Sequence, residues 1–178
     1  RLVEQKAIRK SLESKLLTSS LIRGLVFLLT GFLCYYFFPG TAPILITLAV
    51  GIAIFLFLIS RHTDLKHLKA KCKALIDINK RELAVLGRDF SGLSSGDEFI
   101  RSDHDYALDI DLFGKGSFYE YCNRTELKEG AQALADILCA NQIDEIPVKQ
   151  DGLQELAGIP EWSQEFAAIA RLVDTKAS

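Results

Sequence analysis

Between Gly24 and Ser60 the sequence has no charged side chain at all, a gap of 37 residues in a chain of 178. Other absences are milder. There is no methionine, and the chain begins on Arg1 without an initiator, so it is read as a piece of something longer. Its four cysteines, Cys34, Cys72, Cys122 and Cys139, form no CxxC pair and have no histidine partner at metal-ligand spacing. That excludes a zinc ribbon and a dithiol redox site, and free thiols are expected. No nucleophile, base and orienting acid fall into a recognisable catalytic set, so no catalytic, cofactor-binding or metal-binding residue is assigned.

What is present is segregated. Residues 1–23 hold six Lys/Arg against two Glu, a net of +4, and residues 61–90 hold eight against four acids, again +4. Residues 91–178 hold seven against seventeen acids, a net of −10. Two apolar runs occupy the region of the uncharged gap: Leu21–Phe38, which is interrupted by Arg23 near its start, and Pro43–Ile59. A bilayer core of roughly 30 Å needs about 20 helical residues, with about 17 as the lower limit, and both runs meet that limit. Between them lies Pro39-Gly40-Thr41-Ala42-Pro43, where proline ends one helix and pre-sets the start of the next. The expectation is a transmembrane helical hairpin with a tiny exposed loop. A buried hairpin in a soluble all-α core is the alternative, although such helices keep a polar face. A cleaved signal peptide would have a shorter apolar stretch and no second span.

Excess Lys/Arg stays on the cytoplasmic side. Arg9, Lys10, Lys15 and Arg23 precede the first run; Arg61, Lys66, Lys69, Lys71 and Lys73 follow the second; the loop has none. Both termini are therefore expected in the cytoplasm, with the protein in a bacterial inner membrane. Cys34 would then lie in lipid and the other thiols on the reducing side. The Asn123-Arg124-Thr125 sequon would not meet the glycosylation machinery.

Residues 1–20 read as an amphipathic juxtamembrane helix, with Leu2, Ile8, Leu12, Leu16 and Leu17 among charges; it either runs on into the first span or lies along the membrane surface. Residues 60–90 read as a second one, with Leu65, Leu68, Cys72, Leu75 and Ile76 at helical spacing. Their basic excess could be a nucleic-acid patch, but anionic lipid headgroups explain it more simply. Gly87 and the Ser91–Gly96 run open a linker over 91–103. A small helical domain over 104–178 follows. Tyr106, Leu108, Ile110 and Leu112 alternate at period two, which predicts one short extended segment with Asp109 and Asp111 on its wet face. Ser117 and Glu120 have capping-box spacing and predict a short helix to about Asn123. Further helices are expected over Glu126–Ala140, with an apolar stripe of Leu127, Ala131, Leu134 and Leu138, and over Lys149–Ala157. A last helix opens at Pro160, with Trp162, Phe166, Ile169 and Val173 on one face. The fold class is thus mainly α, and some seventy residues of soluble domain are marginal as an independent core.

Two clusters invite chemistry. Asp103, His104, Asp105, Asp109 and Asp111 could be imagined around a divalent metal, but a solvated acidic face is the simpler reading. Gly114-Lys115-Gly116-Ser117 departs from the phosphate loop, which requires GxxxxGK directly followed by Ser or Thr.

The stretch His104-Asp-Tyr-Ala-Leu-Asp-Ile-Asp-Leu-Phe-Gly114, then Ser117-Phe-Tyr-Glu-Tyr, Asn123-Arg-Thr125 and Gly130-Ala-Gln-Ala-Leu134-Ala135, carries a family resemblance. It resembles the start of the core domain of MutS-related proteins, the mismatch-repair ATPase superfamily, in the membrane-anchored branch common in Bacteroidetes. Ile146-Pro-Val-Lys149-Gln150 through Glu155-Leu156-Ala157 is similar to a later element of that family. Lys149 stands where Arg is usual, and Phe118-Tyr119 stands for Leu-Phe. The likeness covers roughly residues 80–170 together with the layout of the hairpin. It implies a parent protein that binds ATP and Mg and possesses DNA-related activity, working as a homodimer or larger membrane assembly. DNA would be met only through domains this sequence does not contain, and no catalytic or DNA-contacting family residue maps here. The −10 balance of residues 91–178 also opposes a grip on phosphates. The competing expectation is a non-enzymatic membrane scaffold or accessory subunit, with the lipid bilayer as its first partner.

Overall fold

A computed structural model describes residues 2–102, 104–140 and 144–177, with side chains through Val173. It is mainly α, with no strand among the described residues. Two long helices, α1 (Leu2–Tyr36) and α2 (Thr41–Leu86), are followed by four shorter ones: α3 (Phe118–Cys122), α4 (Lys128–Cys139), α5 (Ile146–Ala157) and α6 (Pro160–Ala177). The chain divides into two compact units, Arg1–Lys73 and Ala74–Ser178, so the break falls inside α2, and the Gly87–Gly96 stretch lies within the second unit.

In the first unit α1 is continuous: the basic segment and the first apolar run form one helix of 35 residues. It ends at Tyr36, and Pro39 and Gly40 turn the chain before α2 starts at Thr41 with Pro43 in its first turn. The two helices run antiparallel in a fixed register. Lys69 Nζ meets Glu13 Oε1 at 3.1 Å, His62 Nδ1 meets Ser19 Oγ at 3.3 Å, and Gly51 lies against Thr30. The residue numbers of each pair add to 81 or 82.

Burial repeats this register. On α1 the covered positions include Leu2, Gln5, Arg9, Leu12, Leu16, Ser19, Arg23, Val26, Thr30 and Leu33, spaced alternately by three and four, with Glu13 and Cys34 half-covered beside this row. On α2 they include Ile44, Thr47, Gly51, Phe55, Leu58, His62, Leu65, Lys69 and Cys72, with Ala70 and Lys71 also half-covered near the end of the unit. This 3-4 spacing is the seam of a left-handed helix pair. Along residues 24–60 large apolar groups face outward, Phe27, Leu28, Phe32, Leu45, Ile46 and Phe57 among them, and are more than half exposed. The seam there includes the smaller Thr30, Thr47 and Gly51. A Cβ on Gly51 would stand 2.5 Å from the Thr30 methyl carbon, so glycine is what allows this approach.

The second unit is built around Tyr119, which is fully buried with Ala107, Leu112, Phe113 and Ala135. Phe99, Tyr106, Leu134, Leu138 and Cys139 pack around that cluster. A separate contact joins Ala74, Leu75 and Ile78 of α2 to Ala168 of α6.

One expected element is corrected. The segment 106–112 is not extended; it is a single helical turn closed at both ends. His104 Nδ1 accepts from the N–H groups of Tyr106 (3.4 Å) and Ala107 (3.3 Å), as an N-cap would. At the other end the Leu112 N–H donates to the Ala107 carbonyl and the Asp111 N–H to the Leu108 carbonyl, with Asp111 in the left-handed region at φ 47°. Those two bonds define a Schellman motif. A strand would have needed a neighbouring strand for the same backbone groups, whereas local caps satisfy them at once. Only Ala107 and Leu112 of this segment are buried, and Leu108 and Ile110 are exposed.

Three helices start or end close to their expected bounds. Ser117 Oγ accepts from the Glu120 N–H at 3.1 Å and caps α3. Glu120 reaches back to the Gly116 N–H at 2.6 Å, one residue earlier than the standard box. α5 opens earlier than expected, at Ile146, because Pro147 fits its first turn. On α6 the apolar residues packed against α2 include the small Ala167 and Ala168, and the stripe of Trp162, Phe166, Ile169 and Val173 is more than half exposed.

Candidate functional site

Some of the motif residues singled out in the sequence gather around the Tyr119 core, and the polar atoms of His104, Ser117, Glu120 and Asn123 are hydrogen-bonded within the fold. Tyr119 Oη donates to the Ala131 carbonyl at 3.3 Å and accepts from Asn123 Nδ2 at 3.3 Å. Asn123 Oδ1 accepts from both the backbone N–H and the hydroxyl of Thr125, at 2.9 and 2.7 Å. The Asn-Arg-Thr triplet is therefore a folded turn with a buried amide. Arg124 pairs with Glu82 of α2 at 2.7 Å, and Glu126 with Arg81 at 2.9 Å, so two reciprocal ion pairs tie this turn to the end of α2. Glu126 also meets Arg171 at 4.0 Å.

Neither imagined chemical cluster assembles. Asp103 lies outside the described residues. His104 Nε2 donates to the Cys139 carbonyl at 3.1 Å while Nδ1 accepts two N–H groups, so both ring nitrogens are used inside the fold. Asp109 and Asp111 are exposed. Among the described residues no three His, Cys, Asp or Glu side chains come together as metal ligands. In the Gly114–Ser117 loop the Gly114 N–H donates to the Ser95 carbonyl and the Gly116 N–H to Glu120, so these amides are not free to hold a phosphate. Gly96, at φ 71°, has a structural reason of its own, since a Cβ there would stand 2.6 Å from the Tyr119 ring.

All four thiols are free. Burial pushes the Cys72 and Cys122 thiols above the ordinary range, with Lys71 and Arg124 respectively opposing the shift. A raised pKa disfavours the thiolate in both, Cys72 buried and Cys122 half-buried. A cavity of about 190 Å³ in the second unit is lined by Asp77, Arg81, Asp89 and Arg171 with Ala84, Val85, Gly92 and Leu93. Its two cations and two carboxylates offset each other, and it holds no nucleophile and base pair.

Two surfaces stand out instead. The first is the uncharged, outward-facing apolar band of α1 and α2, two helices long and apolar enough to cross a membrane by length and composition. At its edge the seam turns polar with Ser19, Arg23 and His62. The sequence marked Arg23 only as a flanking charge and did not mark Ser19 or His62; the heptad seam is the signal that could have found them. The second surface is the α5–α6 pair. Val148, Leu153, Phe166 and Ile169 are exposed there, and Trp162 stacks on Phe166 with ring centres 5.4 Å apart.

Family models, curated proteins and solved structures all return no match to this chain.

Proposed function

We propose that this protein is a membrane-anchored interaction module, with α1 and the apolar part of α2 crossing a bacterial inner membrane and both ends in the cytoplasm. The supporting observation is the inverted polarity of the hairpin over residues 24–60. Small and hydroxylated residues take part of the seam and large apolar ones face out, which suits lipid as the surrounding solvent. The +4 flanks and the uncharged loop favour the stated orientation. The second unit then serves as the docking part of a scaffold or accessory subunit, and its apolar α5–α6 surface is the part that a homodimer or larger membrane assembly would cover.

The test is carbonate extraction together with thiol labelling in intact cells. The protein is expected to stay in the pellet. In a cysteine-free background, Thr41→Cys should react with an impermeant maleimide from outside and Ser11→Cys should not. Release into the supernatant would overturn the anchor, and the reverse labelling would overturn the orientation.

A second reading takes the chain as the anchor and the core-domain beginning of a MutS-related ATPase, with ATP, Mg and DNA engaged elsewhere in the parent. It is favoured by one observation: the residues that carry the resemblance, from His104 to Ala135, share a single core and its caps. The intact mass of the native polypeptide separates the readings. A mass well above 19.8 kDa, with a GxxxxGK[ST] loop in the added sequence, supports the ATPase parent; a mass near that value removes it.

A further inference from the structure

We infer that Arg23, Ser19 and His62 form a site for the phosphate of an anionic phospholipid, a reading that rests on the membrane placement proposed above. Arg23 and Arg61 are the first charged residues on either side of the uncharged stretch, so they lie where headgroup phosphates begin. Arg23 occupies a seam position, one helical turn from Ser19, which itself touches His62 across the pair. Its guanidinium Nε is shut off from solvent and has no hydrogen-bond partner among the described residues. A buried donor of that kind is costly unless an acceptor reaches it.

The chain itself brings little negative charge to this level. Of the acids on this stretch of the hairpin, Glu13 is held by Lys69 and Arg9, and Asp64, two residues from His62, is exposed and off the seam. Cations are plentiful, with Arg61 and Lys66 beside His62 on α2. Desolvation, then Arg23 and Lys66, hold the His62 proton affinity below the ordinary imidazole value. A phosphodiester monoanion would reverse that balance. It can accept two parallel N–H bonds from a guanidinium, with the hydroxyl and imidazole as further donors. A lipid is the favoured source of the phosphate because the cluster sits at the border of the apolar band and not on an open face.

The full chain would be placed in nanodiscs of phosphatidylcholine with and without phosphatidylglycerol, then released in mild detergent for native mass spectrometry. The wild type should retain phosphatidylglycerol over phosphatidylcholine. Arg23→Gln should reduce that retention about fivefold, the change that one cation near the surface is worth, with Arg23→Lys in between. The His62 ring signal in ¹⁵N NMR should show a higher pKa in the anionic discs, a shift that Arg23→Gln reduces. Equal retention of both lipids by a properly incorporated chain, or an unchanged His62 titration, would overturn the site and leave the membrane reading intact. Displacement of phosphatidylglycerol by millimolar inorganic phosphate would also overturn it, by making the site one for free anions. Failure of the wild type to enter either disc would sink the membrane reading, and the site with it.

Discussion

The hairpin contains two regions that share one seam and differ in everything around it. In residues 2–23 and 61–73 the covered positions Leu12, Leu16, Leu65 and Cys72 are apolar and the outer faces carry Lys, Arg and Glu. In residues 24–60 the outer faces are Leu, Ile, Val and Phe, while Thr30, Thr47 and Gly51 lie inside. The helix geometry is continuous across the border, and the seam is mixed in both regions, with Arg9, Ser19, Arg23, His62 and Lys69 covered on the basic side and Val26, Leu33, Phe55 and Leu58 on the apolar side. What changes is the outer face, from charged to apolar. With the membrane placement proposed above, helix pairing would rest on different physics in the two regions. In water, burying leucine drives the pair together. Against lipid there is no such gain, and close backbone approach with hydroxyl bonding takes over. Thr30 illustrates this, since its hydroxyl donates to the Val26 carbonyl at 2.8 Å while its methyl and hydroxyl both lie against Gly51.

The largest test of this contrast is a charge on each outer face. Leu28→Arg, in the apolar region, should cost about 2.5 to 3.5 kcal/mol of insertion free energy. Leu17→Arg, equally exposed in the basic region, should stay within about 0.5 kcal/mol. A glycosylation-tagged insertion assay reads both, and equal effects would break the comparison. Next in size is truncation in the seam. Leu12→Ala should lower stability by about 2 kcal/mol, and Val26→Ala by less than about 1 kcal/mol because lipid replaces what is lost. Thermal unfolding in mild detergent measures the difference.

Gly51→Ala sharpens the lipid-side half of the argument. The added carbon meets Thr30, and overpacking of this kind costs about 1 to 3 kcal/mol. Thr30→Ala in the same chain should recover most of it, and a second substitution that makes matters worse would count against the close approach. The smallest effect is electrostatic and confined to the basic region. Lys69 first, then Arg9, lower the Glu13 pKa from its usual 4.5 by hydrogen bonding. A depressed carboxylate stabilises the fold above its unfolded pKa and loses that stabilisation as pH falls through the folded value. Melting temperature should therefore drop below pH 4.5 in the wild type, and Glu13→Gln should flatten that drop.

Much of this was legible in the residues alone. The apolar runs, the Pro-Gly turn and the cap at Ser117 depend on local composition and on spacings of three or four, and the helices form where those signals stand. The failure over Tyr106–Leu112 is instructive, because alternation describes a face and not a partner. Leu108 and Ile110 fit a strand pattern, yet no strand lies beside them among the described residues, and His104 and Asp111 close the turn locally. The stripe on α6 misled in a related way. Trp162, Phe166, Ile169 and Val173 do share a helical spacing, but the smaller Ala168 makes the contact with α2.

By itself, then, the sequence determined which segments are helical, where lipid could replace water and where the charge lies, because those properties sum over neighbouring residues. What the conspicuous motifs do depends on contacts between distant parts of the chain. His104 looks like chemistry when read along the chain and Asn123-Arg124-Thr125 like a motif with a role of its own, and their partners, 35 residues away for His104 and Cys139 and across to α2 for Arg124 and Glu82, turn them into caps and ties. The same holds for Ser19 and His62, 43 residues apart, which meet only because two helices fold back in one register. A hydrogen bond is directional and short, so which groups satisfy one another is settled by where the backbone brings them and not by how they are spaced in sequence.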